Sequence, residues 1–300
     1  MLRRIPYLAL ISALAIAPAC LPLEESGAFH GATYSAYTWV GPDVLALRTS
    51  FTYDSECGPR FGERHEVALI DQSGSESVLF EVSRNAASGR YIDASGDGSL
   101  IVIRDGGYLR VVDSRGVDVR RFDSGAYSAV RISDDGRHAA LVARGDGAGA
   151  STLQRVVLPD GEPTMVTANG LHPAFSPDAM LIAYWKDVVG GLHVSDLDGG
   201  DEFLVTRGGE TGEGDSPHGP FVWAADGGTI FYREDGALFQ VKVRPEGENS
   251  RVWTFLNEPG SAEVSPDGER VLLDDDFGGF RVLDLEDGSE ILHKGDYLCG

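Results

Sequence analysis

The sequence predicts an all-β fold made by repeating one four-stranded unit. Three observations carry that expectation. First, residues 171–206 hold four short β runs, 173–176, 181–185, 192–197 and 202–206, each closed by a turn signal. Pro177-Asp178 ends the first run and Asp198-Gly199-Gly200 ends the third. An Asp-Gly pair between alternating runs is a strong hairpin signal, because glycine accepts positive φ at little steric cost. Second, the unit recurs: Asp97, Asp135, Asp178, Asp226 and Asp267 occupy corresponding places at intervals of 38, 43, 48 and 41 residues. Third, a small sheet of this kind buries little alone and leaves its edges open, and closed radial repetition solves both problems. A period near forty with four strands per unit is the signature of a β-propeller blade.

Six units follow along the chain, at about 31–85, 86–123, 124–167, 168–207, 208–257 and 258–300. Seven blades, one of them degenerate, is the alternative count. The first unit is the least regular: runs at 44–52, 66–71 and 77–82 read as strands, and 52–65 reads as an insertion rich in charge and glycine. The third carries Arg144-Gly145-Asp146 in a glycine-rich stretch, which reads as a hairpin tip. The fifth opens on a second long polar loop, 208–220.

Within the fourth unit, Phe175-Ser176-Pro177-Asp178 is followed by Ile182-Ala183-Tyr184 and by Val194-Ser195-Asp196-Leu197-Asp198-Gly199. This pattern resembles the Pro-Asp repeat of TolB-type, WD-like propellers. Ser265-Pro266-Asp267-Gly268 with 282–288 is a second match, and the other three copies match by position without the proline. The resemblance implies a propeller whose first strand in each unit lines a central channel. It also implies a binding or scaffold role beside other envelope proteins. The separate N-terminal α/β domain of TolB has no counterpart in the sequence, so equivalence with TolB is not implied.

Residues 1–19 read as an export signal: Arg3 and Arg4 precede an apolar stretch, 5–17, too short for a comfortable membrane span. Ala17-Pro18-Ala19-Cys20 resembles a bacterial lipobox, which would make Cys20 the lipidated first residue of the mature chain, with 20–30 as a tether. The alternative is cleavage after Ala19 with Cys20 incidental. Stable anchoring takes more than one acyl chain. Cys57 and Cys299 then remain as a pair in an oxidising compartment. Because the first and last blades of a closed propeller touch, this pair is expected to form a disulfide that staples the ring. The expected location is the periplasm or outer membrane, reached through the lipid anchor, and a closed ring is expected to be a monomer. Net charge of −22 opposes binding to phosphate backbones, so nucleic acid is not an expected partner.

No catalytic motif stands out. Gly214-Asp215-Ser216-Pro217 only brushes against a serine-protease nucleophile run, and it lacks the oxyanion-hole glycines. The carboxylates at 196–202 read as a hairpin turn rather than a calcium loop, which would end on a correctly offset glutamate. Candidate ligand contacts lie where the chain enters the first strand of a unit. His172 and His218, with Asp215 close to the latter, fall six and eight residues before the repeat aspartate, and Tyr91 and Tyr37 match His172 by position. Imidazoles and carboxylates at a channel mouth contact ligands or metals, but this spacing is no metal motif, and no cofactor or metal is expected. The leading expectation is a non-catalytic module that binds an envelope protein or peptide. The alternatives are a metal-dependent lyase or hydrolase acting on glycans at the channel mouth, and a sensor of a small ligand or sugar, with Tyr37, Tyr91 and Trp223 as stacking platforms.

Overall fold

The computed structural model describes residues 29–53, 60–88, 91–145, 151–186, 190–207, 221–234, 237–245, 247, 249–254, 262–274 and 278–295. Six four-stranded antiparallel sheets form a six-bladed propeller, each sheet made of four strands consecutive in sequence. Blade 1 holds β1 (Phe29–Val40), β2 (Asp43–Tyr53), β3 (Arg60–Ile70) and β4 (Glu76–Glu81). A single helical turn, α1 (Arg84–Ser88), leads into blade 2, with β5 (Ile92–Ala94), β6 (Leu100–Asp105), β7 (Tyr108–Asp113) and β8 (Asp118–Asp123). Blade 3 holds β9 (Tyr127–Ile132), β10 (His138–Ala143), β11 (Thr152–Val157) and β12 (Thr164–Ala168). Blade 4 holds β13 (Gly170–Phe175), β14 (Leu181–Lys186), β15 (Leu192–Asp196) and β16 (Phe203–Thr206). Blade 5 holds β17 (Val222–Trp223), β18 (Thr229–Glu234), β19 (Ala237–Lys242) and β20 (Asn249–Thr254). Blade 6 holds β21 (Ala262–Val264), β22 (Arg270–Asp274), β23 (Phe280–Asp284) and β24 (Glu290–Lys294).

The first strands are innermost: β1 meets β5, β5 meets β9, β9 meets β13 and β13 meets β17. The second strands explain the continuous apolar runs in the sequence. Side chains alternate across a sheet, and here both faces are covered by neighbouring blades. In β10, Ala139 and Leu141 join the core shared with blade 2, whereas Ala140 and Val142 join the core shared with blade 4. In β2, Val44 and Ala46 pack towards blade 6, and Leu45 and Leu47 towards blade 2. In β14, Ile182 and Tyr184 face blade 3, and Ala183 and Trp185 face blade 5.

The repeat aspartate is a turn device. Asp178 accepts from the Ser176 hydroxyl at 2.6 Å and from the Met180 N–H at 3.1 Å, while Ser176 Oγ accepts the Leu181 N–H at 2.9 Å. The same set recurs at Ser95/Asp97, Ser133/Asp135 and Ser265/Asp267. These bonds hold all four carboxyls below their ordinary value, led by the backbone N–H of Ser99 for Asp97 and the Ser176 hydroxyl for Asp178, and against a burial penalty for Asp135 and Asp267. In blade 5, Ala224 replaces the serine, and Asp226 accepts the Gly228 N–H at 2.8 Å with no serine hydroxyl to bond. The turn at Asp196 is likewise a hairpin cap, Oδ1 accepting the N–H groups of Asp198 and Gly200 at 2.9 and 2.7 Å.

Blade 1 departs from expectation. The segment read as an insertion is largely strand: β2 runs on to Tyr53 and β3 begins at Arg60, with Thr49 opposite His65 and Ser50 opposite Arg64. β1 is 12 residues long and pairs along the same length, which gives this charged hairpin a partner that composition does not reveal. The inner turn of blade 1 is also shorter, with Val40 directly opposite Asp43. Cys20, Cys57 and Cys299 lie outside the described residues.

Two stability predictions follow from this packing. Ser176 is buried and its hydroxyl satisfies a backbone N–H, so Ser176→Ala should cost about 1–3 kcal/mol in urea unfolding, and Ala224→Ser should stabilise by about 0.5–1.5 kcal/mol. Gly199 has φ +81°, and a Cβ there would lie 2.1 Å from the Val166 carbonyl oxygen of the preceding blade. Gly199→Ala should therefore cost roughly 2–4 kcal/mol from backbone strain plus overpacking, whereas Gly107→Ala, with open space around it, should be near neutral in the same assay.

Candidate binding site in the central channel

Each inner strand lines the channel with, among others, the residue two positions before the turn serine or its equivalent. Around the ring these are Thr38, Asp93, Arg131, Ala174, Val222 and Glu263, and all six line a cavity of about 160 Å³. Sheet register confirms the equivalence: Thr38 lies opposite Leu45, Asp93 opposite Val102, Arg131 opposite Ala140, Ala174 opposite Ala183, Val222 opposite Phe231 and Glu263 opposite Leu272. The lining is two-sided. Blades 6, 1, 2 and 3 give a polar arc of Glu263, Thr38, Asp93 and Arg131. Blades 4 and 5 give an apolar arc of Ala174 and Val222, backed by Phe175, Phe221 and Trp223. Asp134, Pro177, Ala225 and Pro266, all from inner turns, line the end where the first strand of each blade turns into the second.

The polar arc is tied together across blades. Arg131 Nη1 donates to Asp93 Oδ1 at 2.7 Å, and the Ile132 N–H donates to Asp93 Oδ2 at 2.8 Å. Burial opposes charge on Arg131, yet Asp93 beside it, with Tyr91 and Glu263 nearby, holds the guanidinium charged. Burial raises the Asp93 carboxyl, while Arg131 and the Ile132 N–H oppose the shift. Across the joint between blades 6 and 1, the Thr38 hydroxyl donates to Glu263 Oε1 at 3.0 Å, and the Trp39 indole N–H donates to the Glu263 carbonyl at 3.1 Å. Trp223 makes the matching indole bond to the Ala174 carbonyl at 3.1 Å. Burial pushes Glu263 up to about 7, with Arg131 and Thr38 pulling the other way. Asp134 is pushed up to about 6 by burial, with Asp93 and Asp135 adding repulsion.

The tyrosines and histidine singled out in the sequence sit elsewhere. Tyr37 packs at 5.3 Å against Phe280 of blade 6. The Tyr91 hydroxyl donates to the Val130 carbonyl and accepts the Val130 N–H at 3.1 Å, and burial raises its pKa to about 12. His172 is exposed, with φ 50°, its ring edge-on to Phe221 at 6.5 Å. None of the three lines the cavity, and each contacts a neighbouring blade. Asp215 and His218 lie outside the described residues. Among the described residues, no three or more His, Cys, Asp or Glu side chains come together as a metal ion would require. Sequence reading missed Asp93, Arg131 and Glu263. Their signal is regular: each stands four residues before a repeat aspartate.

No protein-family model matches the chain, and no curated protein matches it in sequence. Solved structures do match. An oligogalacturonate lyase in complex with manganese aligns with a TM-score of 0.56 at 18% identity, over 89% of this chain and 78% of that one. A putative TolB from Agrobacterium tumefaciens aligns at 0.53 and 19%, over 75% and 88%. A chain of the nidogen/laminin complex aligns at 0.56 and 9%, over 90% and 94%. At these identities the likeness is one of fold, and a fold of this kind serves many functions. The TolB likeness agrees with the repeat pattern.

The channel makes stability depend on pH. Folded Glu263 titrates near 7 against an ordinary 4.5, so the folded state holds a proton that the unfolded state has released between those values. Stability therefore falls as pH rises from about 4.5 to 7, and Asp134, raised from 3.8 to about 6, acts with the same sign. Glu263→Gln removes the first contribution. Thermal melts of the variant and the wild type should nearly coincide at pH 5, and the variant should melt higher by pH 8, by roughly 2–4 °C for each kcal/mol recovered. A gap that stays constant with pH would refute the assignment.

Proposed function

We propose that this chain is a non-catalytic protein- or peptide-binding module of the bacterial cell envelope, exported by its leader and anchored through a lipid on Cys20. The observation that carries the binding reading is the size and lining of the channel cavity. Small-molecule sites commonly occupy about 300–1,000 Å³. At about 160 Å³, this cavity suits one protruding side chain rather than a sugar chain. The position two before each turn serine or its equivalent holds threonine, aspartate, arginine, alanine, valine and glutamate in turn, so the channel offers a partner one defined polar side and one apolar side. The leader, the Ala17-Pro18-Ala19-Cys20 run and the TolB-like repeats support the envelope location.

The test uses the full-length chain in its native envelope. Ala225 is exposed and lines the cavity, so Ala225→Trp plugs the channel without entering a core. Val117, exposed in an outer turn away from the cavity, gives the control Val117→Trp. In-cell crosslinking should capture a partner with the wild type and the control and lose it with the plugged variant. Intact mass should show an acylated Cys20, and Cys20→Ser should release the chain from the membrane fraction. Equal capture by the plugged variant would overturn the channel as the binding site. Stoichiometric manganese with cleavage of an oligosaccharide would replace the reading with the lyase or hydrolase alternative.

A further inference from the structure

We propose that the channel cavity receives a lysine or arginine side chain of the partner polypeptide, its aliphatic stem on the apolar arc and its cationic head on the acidic arc beside Glu263. This rests on the binding reading above and names the chemistry that the channel selects. The first ground is charge. The six channel-facing positions hold two carboxylates and one guanidinium, and the guanidinium is committed: Arg131 Nη1 is bonded to Asp93, whose two oxygens are both occupied. Glu263 accepts from the Thr38 hydroxyl, not from a cation held within salt-bridge distance among the described residues. Asp134 adds a third carboxylate to the cavity lining, facing Asp93 and Asp135. Arg131 acts on Glu263 from a distance, but burial outweighs it and no cation of the described residues lies within salt-bridge distance, so ionising Glu263 is costly and an incoming ammonium or guanidinium beside it relieves that cost directly.

The second ground is shape, and it is independent of charge. Lysine and arginine are long amphipathic side chains, with an apolar stem and a charged tip. Opposite the acidic arc, the cavity offers Ala174, Val222 and Phe175, with Phe221 and Trp223 behind them. An aromatic wall favours a cation as well as a methylene chain. A glutamate would meet like charges, and a leucine would leave Glu263 desolvated and unpaired.

The probes are capped pentapeptides, acetyl-Gly-Gly-Lys-Gly-Gly-amide and its arginine counterpart, with norleucine or glutamate at the centre as controls. Capped ends exclude binding through a terminus. Binding to the purified mature chain is read by intrinsic tryptophan fluorescence at 0.15 M salt, because Trp39 and Trp223 line the cavity. The lysine and arginine peptides should bind about ten-fold or more tighter than the norleucine peptide, the scale of one charge-assisted contact. Glu263→Gln should abolish that preference. Glu162→Gln, at an exposed site outside the channel, should retain it, which separates local recognition from general attraction to a chain of net charge −22. Ala174→Phe, which fills the stem side and leaves every charge in place, should abolish binding of both cationic peptides. Absent binding of the lysine peptide, equal binding of the norleucine peptide, tighter binding of the glutamate peptide, or an intact preference in Glu263→Gln would each overturn the proposal. If partner capture still depends on an unplugged channel, such a result removes the cationic ligand and leaves the binding module standing.

Discussion

The structure depends on the joint between its first and last blades. Each sheet has both faces apolar at its second strand, so no blade is satisfied until it has two neighbours. Every sheet is made of consecutive strands, so blade 6 borrows no strand from blade 1. Closure falls to contacts between the two blades. Tyr34 meets Phe280 edge-on at 5.3 Å, and the Tyr34 N–H donates to the Gly278 carbonyl at 2.7 Å. The Arg270 guanidinium lies 5.0 Å over the Trp39 ring. At the rim, Glu76 accepts from Tyr34 and Lys294, both at 2.7 Å, and pairs with Arg48 at 2.9 Å. Ion pairs this close to solvent contribute little each. The aromatic contacts and the apolar core beneath them supply most of the closure, with each well-placed ring pair worth about 0.5–1.5 kcal/mol beyond its buried area.

The same joint builds the site. Glu263 belongs to blade 6, and both the hydroxyl that binds it and the indole that fixes its backbone come from blade 1. Asp93 and Arg131 bridge blades 2 and 3 in the same way. The acidic arc is therefore a product of ring closure rather than of any one blade. Trp39 also belongs to the core shared by blades 1 and 6, so a loosened joint would disturb that core and the hold on Glu263 together. The proposed recognition and the integrity of the ring are coupled because Glu263, its carboxyl raised by burial, sits where the first and last blades meet.

Much of the fold was legible in the sequence for local reasons. Asp-Gly turns are local, and the unbroken apolar runs at 139–142 and 182–185 follow from burial on both faces. The first unit was harder to read. Its inner turn places Val40 opposite Asp43, so the aspartate does not stand where the other copies place theirs, and its charged hairpin is strand only because β1 is long enough to pair with it. The site was less legible. Alternation does not choose between positions of equal parity: Tyr91, just before β5, and Asp93 within it project on the same side of an ideal strand. Tyr91 is spent on the Val130 backbone and Asp93 reaches the channel. That choice is made by the neighbouring blade, which no local pattern encodes.

This division of labour separates the positions that build the scaffold from those that face the channel. Second-strand residues are committed to two cores at once, and the turn serines and aspartates to hairpins, so substitution there costs stability first. The inner-strand position that faces the channel has no core to fill. It holds a carboxylate in blades 2 and 6, a guanidinium in blade 3, a hydroxyl in blade 1 and aliphatic groups in blades 4 and 5. These six residues line the same small volume, and exchanging them leaves the second-strand cores intact, although the cross-blade bonds of Thr38, Asp93, Arg131 and Glu263 would be lost with them. Their order around the ring separates a charged arc from an apolar one, and the proposed receptor for an amphipathic side chain rests on that separation.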